Sequence, residues 1–79
     1  MLLVEVSDTS LDVDLNVKVP HYAAAGIPET WVIDVNRGTL HQFHTPTPGG
    51  YLYQKTFQRG DSMLTTMGVT IQIDAILVT

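Results

Sequence analysis

The sequence contains no cysteine, which excludes a disulfide framework and any thiolate metal site, so a metal ion here is held by oxygen or imidazole. Basic residues are scarce as well. Lys18, Arg37, Lys55 and Arg59 stand against eight acids, for a formal net charge of −4. That balance removes the broad basic face on which non-specific nucleic-acid binding rests. No apolar run approaches the ~20 residues that cross a bilayer. The first residues lack a basic n-region, and Glu5 breaks the apolar stretch there, so nothing reads as a signal peptide. A soluble, cytoplasmic protein with no membrane partner is the expectation. What remains is 44% hydrophobic and 15% charged, the balance of a folding chain. Residues 1–79 make a single domain, of a size at which a core alone contributes only roughly 3–5 kcal/mol.

The stretch LLVEVS alternates, placing Leu3 and Glu5 on one face of a strand and Leu2, Val4 and Val6 on the other. Ser7-Asp8-Thr9-Ser10 is a run of helix-capping residues, with Thr9 or Ser10 at the N-cap. Leu11, Leu15, Lys18 and Tyr22 then recur at helical spacing, and Asp12 and Asp14 occupy the first turns, where the helix dipole favours anions. Pro20 cannot donate to the carbonyl of Asn16, which predicts a kink or weakened turn. Gly26 ends the helix, with Pro28 just beyond. Strands are expected over 31–35, 39–44, 51–57 and 69–73, with turns at 36–38 and 58–61, a loop over 45–50, an irregular stretch over 62–68 and a short helix from Asp74. Strand, helix, strand and meander read as α/β: a mixed β-sheet with a packed helix, its first strand parallel to the Trp31 strand through a right-handed crossover. Parallel strands need cover on both faces and one helix covers one. The sequence therefore predicts a sheet completed by a further segment or by a second copy.

Lys18 falls on the stripe expected to face the sheet, which aims it at the end of the first strand, where Glu5 sits; the alternative is a lysine that snorkels to water over apolar neighbours. A strand glutamate with a positioned lysine is a minimal kit for metal-assisted phosphodiester hydrolysis. The carboxylate binds Mg²⁺ through oxygen, the metal clamps the phosphate and acidifies a water, and the lysine stabilises developing charge or orients that water. One carboxylate is a sparse ligand set, and a working site normally has a further acid. Other candidates are plainer. His41 and His44 point to opposite sides of a strand and read as surface imidazoles, His21 as part of a solvated helix face, Trp31 as core, and Asp34 as a turn acceptor. Gly49-Gly50 lacks the lysine and helix of a phosphate loop, and no serine or cysteine triad assembles.

Taken in order, Leu3-Val4-Glu5-Val6-Ser7, Asp14, Lys18, Tyr22-Ala23 and Gly26-Ile27-Pro28-Glu29-Thr30-Trp31-Val32-Ile33-Asp34 resemble the C-terminal half of the Uma-two family, and the stretch from Asp61 to Leu77 resembles its tail. These are bacterial restriction-endonuclease-like proteins, abundant in cyanobacteria, placed in the PD-(D/E)xK nuclease superfamily. The resemblance implies a restriction-endonuclease-like fold, DNA as substrate, and Mg²⁺ or Mn²⁺ as cofactor. It makes Glu5 the metal-binding glutamate and a catalytic residue, and Lys18 its catalytic partner. Lys18 replaces the usual strand lysine, whose position is taken here by Ser7; Asp14 matches an accessory acid one helical turn earlier. Family members carry a longer N-terminal portion with the first metal-binding aspartate, and Met1 stands where the last aspartate of a Pro-Asp pair is found. That departure implies an N-terminally truncated domain with an incomplete, inactive site, completed by a missing N-terminal segment or in a homodimer. The alternative it leaves is a non-catalytic remnant acting as a self-associating or partner-binding module.

Overall fold

The main sheet of the computed structural model, which describes residues 1–9 and 11–77, has four strands in the order β1-β2-β3-β4. They are β1 (Leu2–Ser7), β2 (Glu29–Asp34), β3 (Thr39–Thr47) and β4 (Gly50–Gln58). β1 lies parallel to β2, with Glu5 opposite Val32 and Ser7 opposite Asp34, and the other pairs are antiparallel hairpins. The expected mixed sheet and crossover are therefore present. β2 starts two residues before Trp31, because Glu29 pairs with His44 as well as with Leu2. Most of the 45–50 loop is absorbed into strand pairing. Pro46 stands opposite Tyr51 near the hairpin end, where the ladder spends no N–H on it, and Thr47 Oγ1 closes the turn on the Gly50 carbonyl at 2.7 Å.

The crossover helix is composite: α1 (Leu11–Val13), a π-helical turn (Asp14–Lys18) and α2 (Val19–Ala24). The Val19 N–H donates to the carbonyl of Asp14, five residues back. In a continuous α-helix the Pro20 ring would press on the Asn16 carbonyl and leave it unpaired; the wider turn just before the proline relieves that contact. The predicted weak turn is thus a π turn. Gly26, at φ 77, ends the helix with both bonds of a Schellman cap, Gly26 N–H to Ala23 O and Ile27 N–H to Tyr22 O, each 3.0 Å. Ser10, one of the two N-cap candidates, lies outside the described residues. Among the described residues no helix is long and apolar enough to cross a membrane.

Two apolar layers flank the sheet. On the helix side Val19, Val32 and Phe43 are buried, with Leu11, Leu15 and Tyr51 against them. Lys18 is not on this stripe. It projects from the flank of the helix toward β1, since the π turn departs from the 3.6-residue period on which the stripe was drawn. On the opposite side Trp31, Ile33, Leu40 and Phe57 pack against Met63, Ile73 and Leu77. Those last three residues come from a second small unit: β5 (Ser62–Leu64) paired with β6 (Thr70–Gln72), followed by α3 (Ile73–Ile76). β5 falls in the stretch expected to be irregular, because a three-residue strand has too few positions to show alternation. Burying Met63 and Ile73 completely is worth roughly 1.5–3 kcal/mol each, and this unit supplies the second cover that the expectation of an open sheet lacked. Its reach stops short of β1, where Val4 and Val6 stay 45% and 64% exposed.

Glu29 ties that unit to the sheet. Its carboxylate is buried and takes four bonds: Oε2 from the Trp31 indole and the Gln42 amide, both 2.8 Å, and Oε1 from the Thr66 hydroxyl at 2.6 Å and backbone N–H at 3.0 Å. Burial pushes its pKa up, and the donors together outweigh burial, so the group titrates below the usual glutamate value.

Candidate active site

Glu5 sits on the helix side of β1, one turn of strand before the carboxyl end, where the crossover brings α2 and the π turn overhead. The Tyr22 hydroxyl donates to Glu5 Oε1 at 2.5 Å. Lys18 Nζ lies 3.9 Å from Glu5 Oε2 and 3.2 Å from Asp14 Oδ1. Asp14 and Lys18 are four residues apart on the helix, while Glu5 reaches them from the strand. The structure thus brings the three sequence-predicted residues together and adds a fourth, Tyr22, which the sequence placed on the helix stripe and among the residues of the family resemblance without a role at the site. Its four-residue spacing from Lys18, which repeats that of Asp14 and Lys18, was a further available signal.

Electrostatics follow from this geometry. Lys18 is held above the usual lysine value, first by its hydrogen bond to Asp14, then by the Asp14 charge and the Glu5 charge, so its ammonium is permanent at neutral pH. The Tyr22 phenol is pushed up to about 12, mainly because ionising it would break its bond to Glu5, with burial adding to the effect. Tyr22 is therefore a fixed donor. Asp14 is almost wholly buried (2% side-chain exposure), whereas the Glu5 and Lys18 side chains keep 25% and 45% of theirs.

Ser7 stands two residues beyond Glu5 on β1, at the position the family resemblance reserves for a lysine. It shares the face of Glu5, is 1% exposed, and its Oγ has no hydrogen-bond partner among the described residues. An ammonium at that sealed position would be desolvated. From the helix flank Lys18 offers the same charge in contact with water.

The remaining candidates lie elsewhere. Asp34 Oδ1 accepts the N–H groups of Asn36 at 3.0 Å and Arg37 at 3.2 Å, as a turn acceptor should. Trp31 is buried. His44 stacks on Tyr53 with ring centroids 3.9 Å apart. His41 departs from the surface reading: it is half-buried on the helix side, burial lowers its pKa, and its Nδ1 lies 2.9 Å from Thr56 Oγ1. A depression of about 290 Å³ lined by Asp8, Leu11, Asp12, Asp34, Asn36 and Arg37 includes none of Glu5, Asp14, Lys18 or Tyr22.

A hard divalent cation takes oxygen ligands, and Mg²⁺ is commonly held by one or two carboxylates with waters and substrate phosphate completing its shell. Glu5 Oε2 fits that role in kind. Among the described residues, no group of three or more His, Asp or Glu side chains could hold a metal ion, and Asp14 is engaged by Lys18.

Residues 1–76 match a protein-family model, Uma2, described as "Putative restriction endonuclease". Comparison with curated proteins and with solved structures gives no match.

Proposed function

This chain belongs to the Uma2 family of restriction-endonuclease-type proteins, and from that premise we propose that the Glu5–Lys18 pair is part of a site for metal-dependent phosphodiester hydrolysis of DNA, in the cytoplasm, which is inactive in a lone chain and completed by a second copy or a further segment. The observation that carries the proposal is the pair itself: the carboxylate and the ammonium of two partly exposed side chains, 3.9 Å apart and brought together from two elements. Bound Mg²⁺ or Mn²⁺ supplies charge neutralisation and an acidified water. Glu5 would hold the cation through its carboxylate, with Asp14 accessory. Lys18 donates to a non-bridging phosphate oxygen and stabilises the charge that builds there. With a net charge of −4, and two carboxylates against one ammonium at the site itself, the chain attracts DNA weakly, so a second copy or a further segment is expected to supply additional ligands and contacts.

The test is nicking of supercoiled plasmid in Mg²⁺ or Mn²⁺. Glu5→Ala and Lys18→Ala, both retaining the wild-type circular dichroism spectrum, are expected to lower the rate by about 10²–10³, the usual effect of losing one preorganised electrostatic group. Wild-type rates in both variants would sink the proposal.

One observation favours a second reading, a non-catalytic module that pairs with itself or a partner. Among the described residues β1 is an edge strand with no strand on its outer side, and Val4 and Val6 are exposed on it. Concentration-dependent dimerisation without Mn²⁺ binding or nicking selects this reading over the first.

A further inference from the structure

Opposite charges on flexible side chains close to 2.7–2.9 Å when nothing holds them apart, because a charge-assisted hydrogen bond is strongest there. Glu5 and Lys18 stop at 3.9 Å although both are partly solvated and neither is hemmed in by burial. Each is gripped from its far side. Tyr22 takes Glu5 Oε1 at 2.5 Å, and the buried Asp14 takes Lys18 Nζ at 3.2 Å. Both grips stand on fixed backbone. The Tyr22 carbonyl accepts the Ile27 N–H of the Schellman cap, and the Asp14 carbonyl accepts the Val19 N–H that closes the π turn.

Resting on the nuclease reading above, we infer that Tyr22 is a positioning residue that, with Asp14 opposing it, keeps the Glu5 carboxylate and the Lys18 ammonium from collapsing onto each other. The gap between Oε2 and Nζ is then preserved for a phosphate oxygen and the cation that accompanies it. A directly bonded Glu5–Lys18 pair would satisfy each group with the other, and a ligand would have to break that bond before it could bind. Holding the pair open removes this step.

Tyr22→Phe deletes the hydroxyl and keeps the ring. The first readout needs no metal: hydrogen exchange of the Lys18 ammonium, followed by ¹⁵N NMR of the full chain. Release of Glu5 closes the ion pair, and exchange slows severalfold. Asp14→Asn gives the same sign from the other side by releasing Lys18 toward Glu5. Unchanged exchange in both variants overturns the inference.

The second readout is the affinity for Mn²⁺ alone. Tyr22→Phe is expected to weaken it roughly tenfold, in the range for groups that orient a metal ligand. In a Lys18→Met background the same substitution should cost less than twofold, since no ammonium competes for Glu5. Equal losses in the two backgrounds indicate a merely structural tyrosine and overturn the inference. Glu5→Gln tests the underlying reading separately. If it binds Mn²⁺ like the wild type, the assignment of Glu5 as metal ligand falls, while the ammonium exchange still decides the role of Tyr22.

Discussion

Glu29 and Glu5 are both glutamates on neighbouring strands of one sheet, yet their surroundings give them opposite uses. Glu29 spends its oxygens on four protein donors, whereas Glu5 spends one oxygen on Tyr22 and faces the other toward Lys18 and solvent. The Glu29 group is depressed below its unfolded value of about 4.5, so it adds stability that is fully present above that pH and is lost as pH falls through the lower, folded value. Thermal unfolding followed by circular dichroism should show the melting temperature dropping below about pH 4.5. Glu29→Gln should flatten that drop and destabilise the protein at pH 7 by about 1–3 kcal/mol, because an amide NH₂ then faces a donor. Strand alternation and helical spacing aimed Lys18 at Glu5, whereas Asp14 read from spacing as a first-turn helix acid and entered the site only through the family resemblance. Glu29 was not legible, because its donors Gln42 and Thr66 come from distant positions that no local pattern links to it. Tyr22 was half-legible, its spacing visible and its reach across to β1 not.

In the crossover helix, periodicity aimed Lys18 at Glu5, where the structure places it, but gave no sign of the π turn over Asp14–Lys18 that sets Lys18 apart from the apolar residues of the stripe. Pro20 contained the clue, since a proline inside a helical pattern demands some break in the hydrogen bonding. The form of the break depends on packing of Val19 and Leu15 against Val32 and Phe43, which the sequence does not order. Pro20 opens the α-helical segment that follows the π turn, at a position whose N–H has little use. Pro20→Ala is therefore expected to stabilise the protein by no more than about 1 kcal/mol in urea unfolding, against ~3 kcal/mol for removing a proline from a continuous α-helix. A gain near the larger figure would mean that the π turn stores strain.

For the molecule as a whole, strand order, crossover and helix were readable from strand–helix–strand alternation, but the second cover was not. Residues 62–77 build it from two three-residue strands and one helical turn. The strand expected over 69–73 and the short helix expected from Asp74 are present as β6 and α3, whereas β5 is too short to carry a periodic signal and the packing of the three onto the sheet has no local pattern. This cover protects β2 to β4 and leaves the outer strand with two exposed valines and no lysine, proline or bulge to discourage pairing. Sedimentation equilibrium should show self-association that grows with concentration, and Val4→Lys with Val6→Lys should shift it to monomer without changing the circular dichroism spectrum. A wild-type monomer at every concentration would remove the self-pairing reading.

Trp31 is the one tryptophan of the sequence, and it lies on the side of the sheet away from the helix, with its indole bonded to Glu29 and its ring among Met63, Ile73 and Leu77. Under excitation at the red edge, where tyrosine does not absorb, the molecule therefore contains a single tryptophan emitter placed at the seam between the main sheet and its C-terminal cover. Its light reports whether that seam is closed. It is screened by the sheet from whatever happens around Glu5, so a ligand can be titrated on one side while the integrity of the other is watched in the same sample.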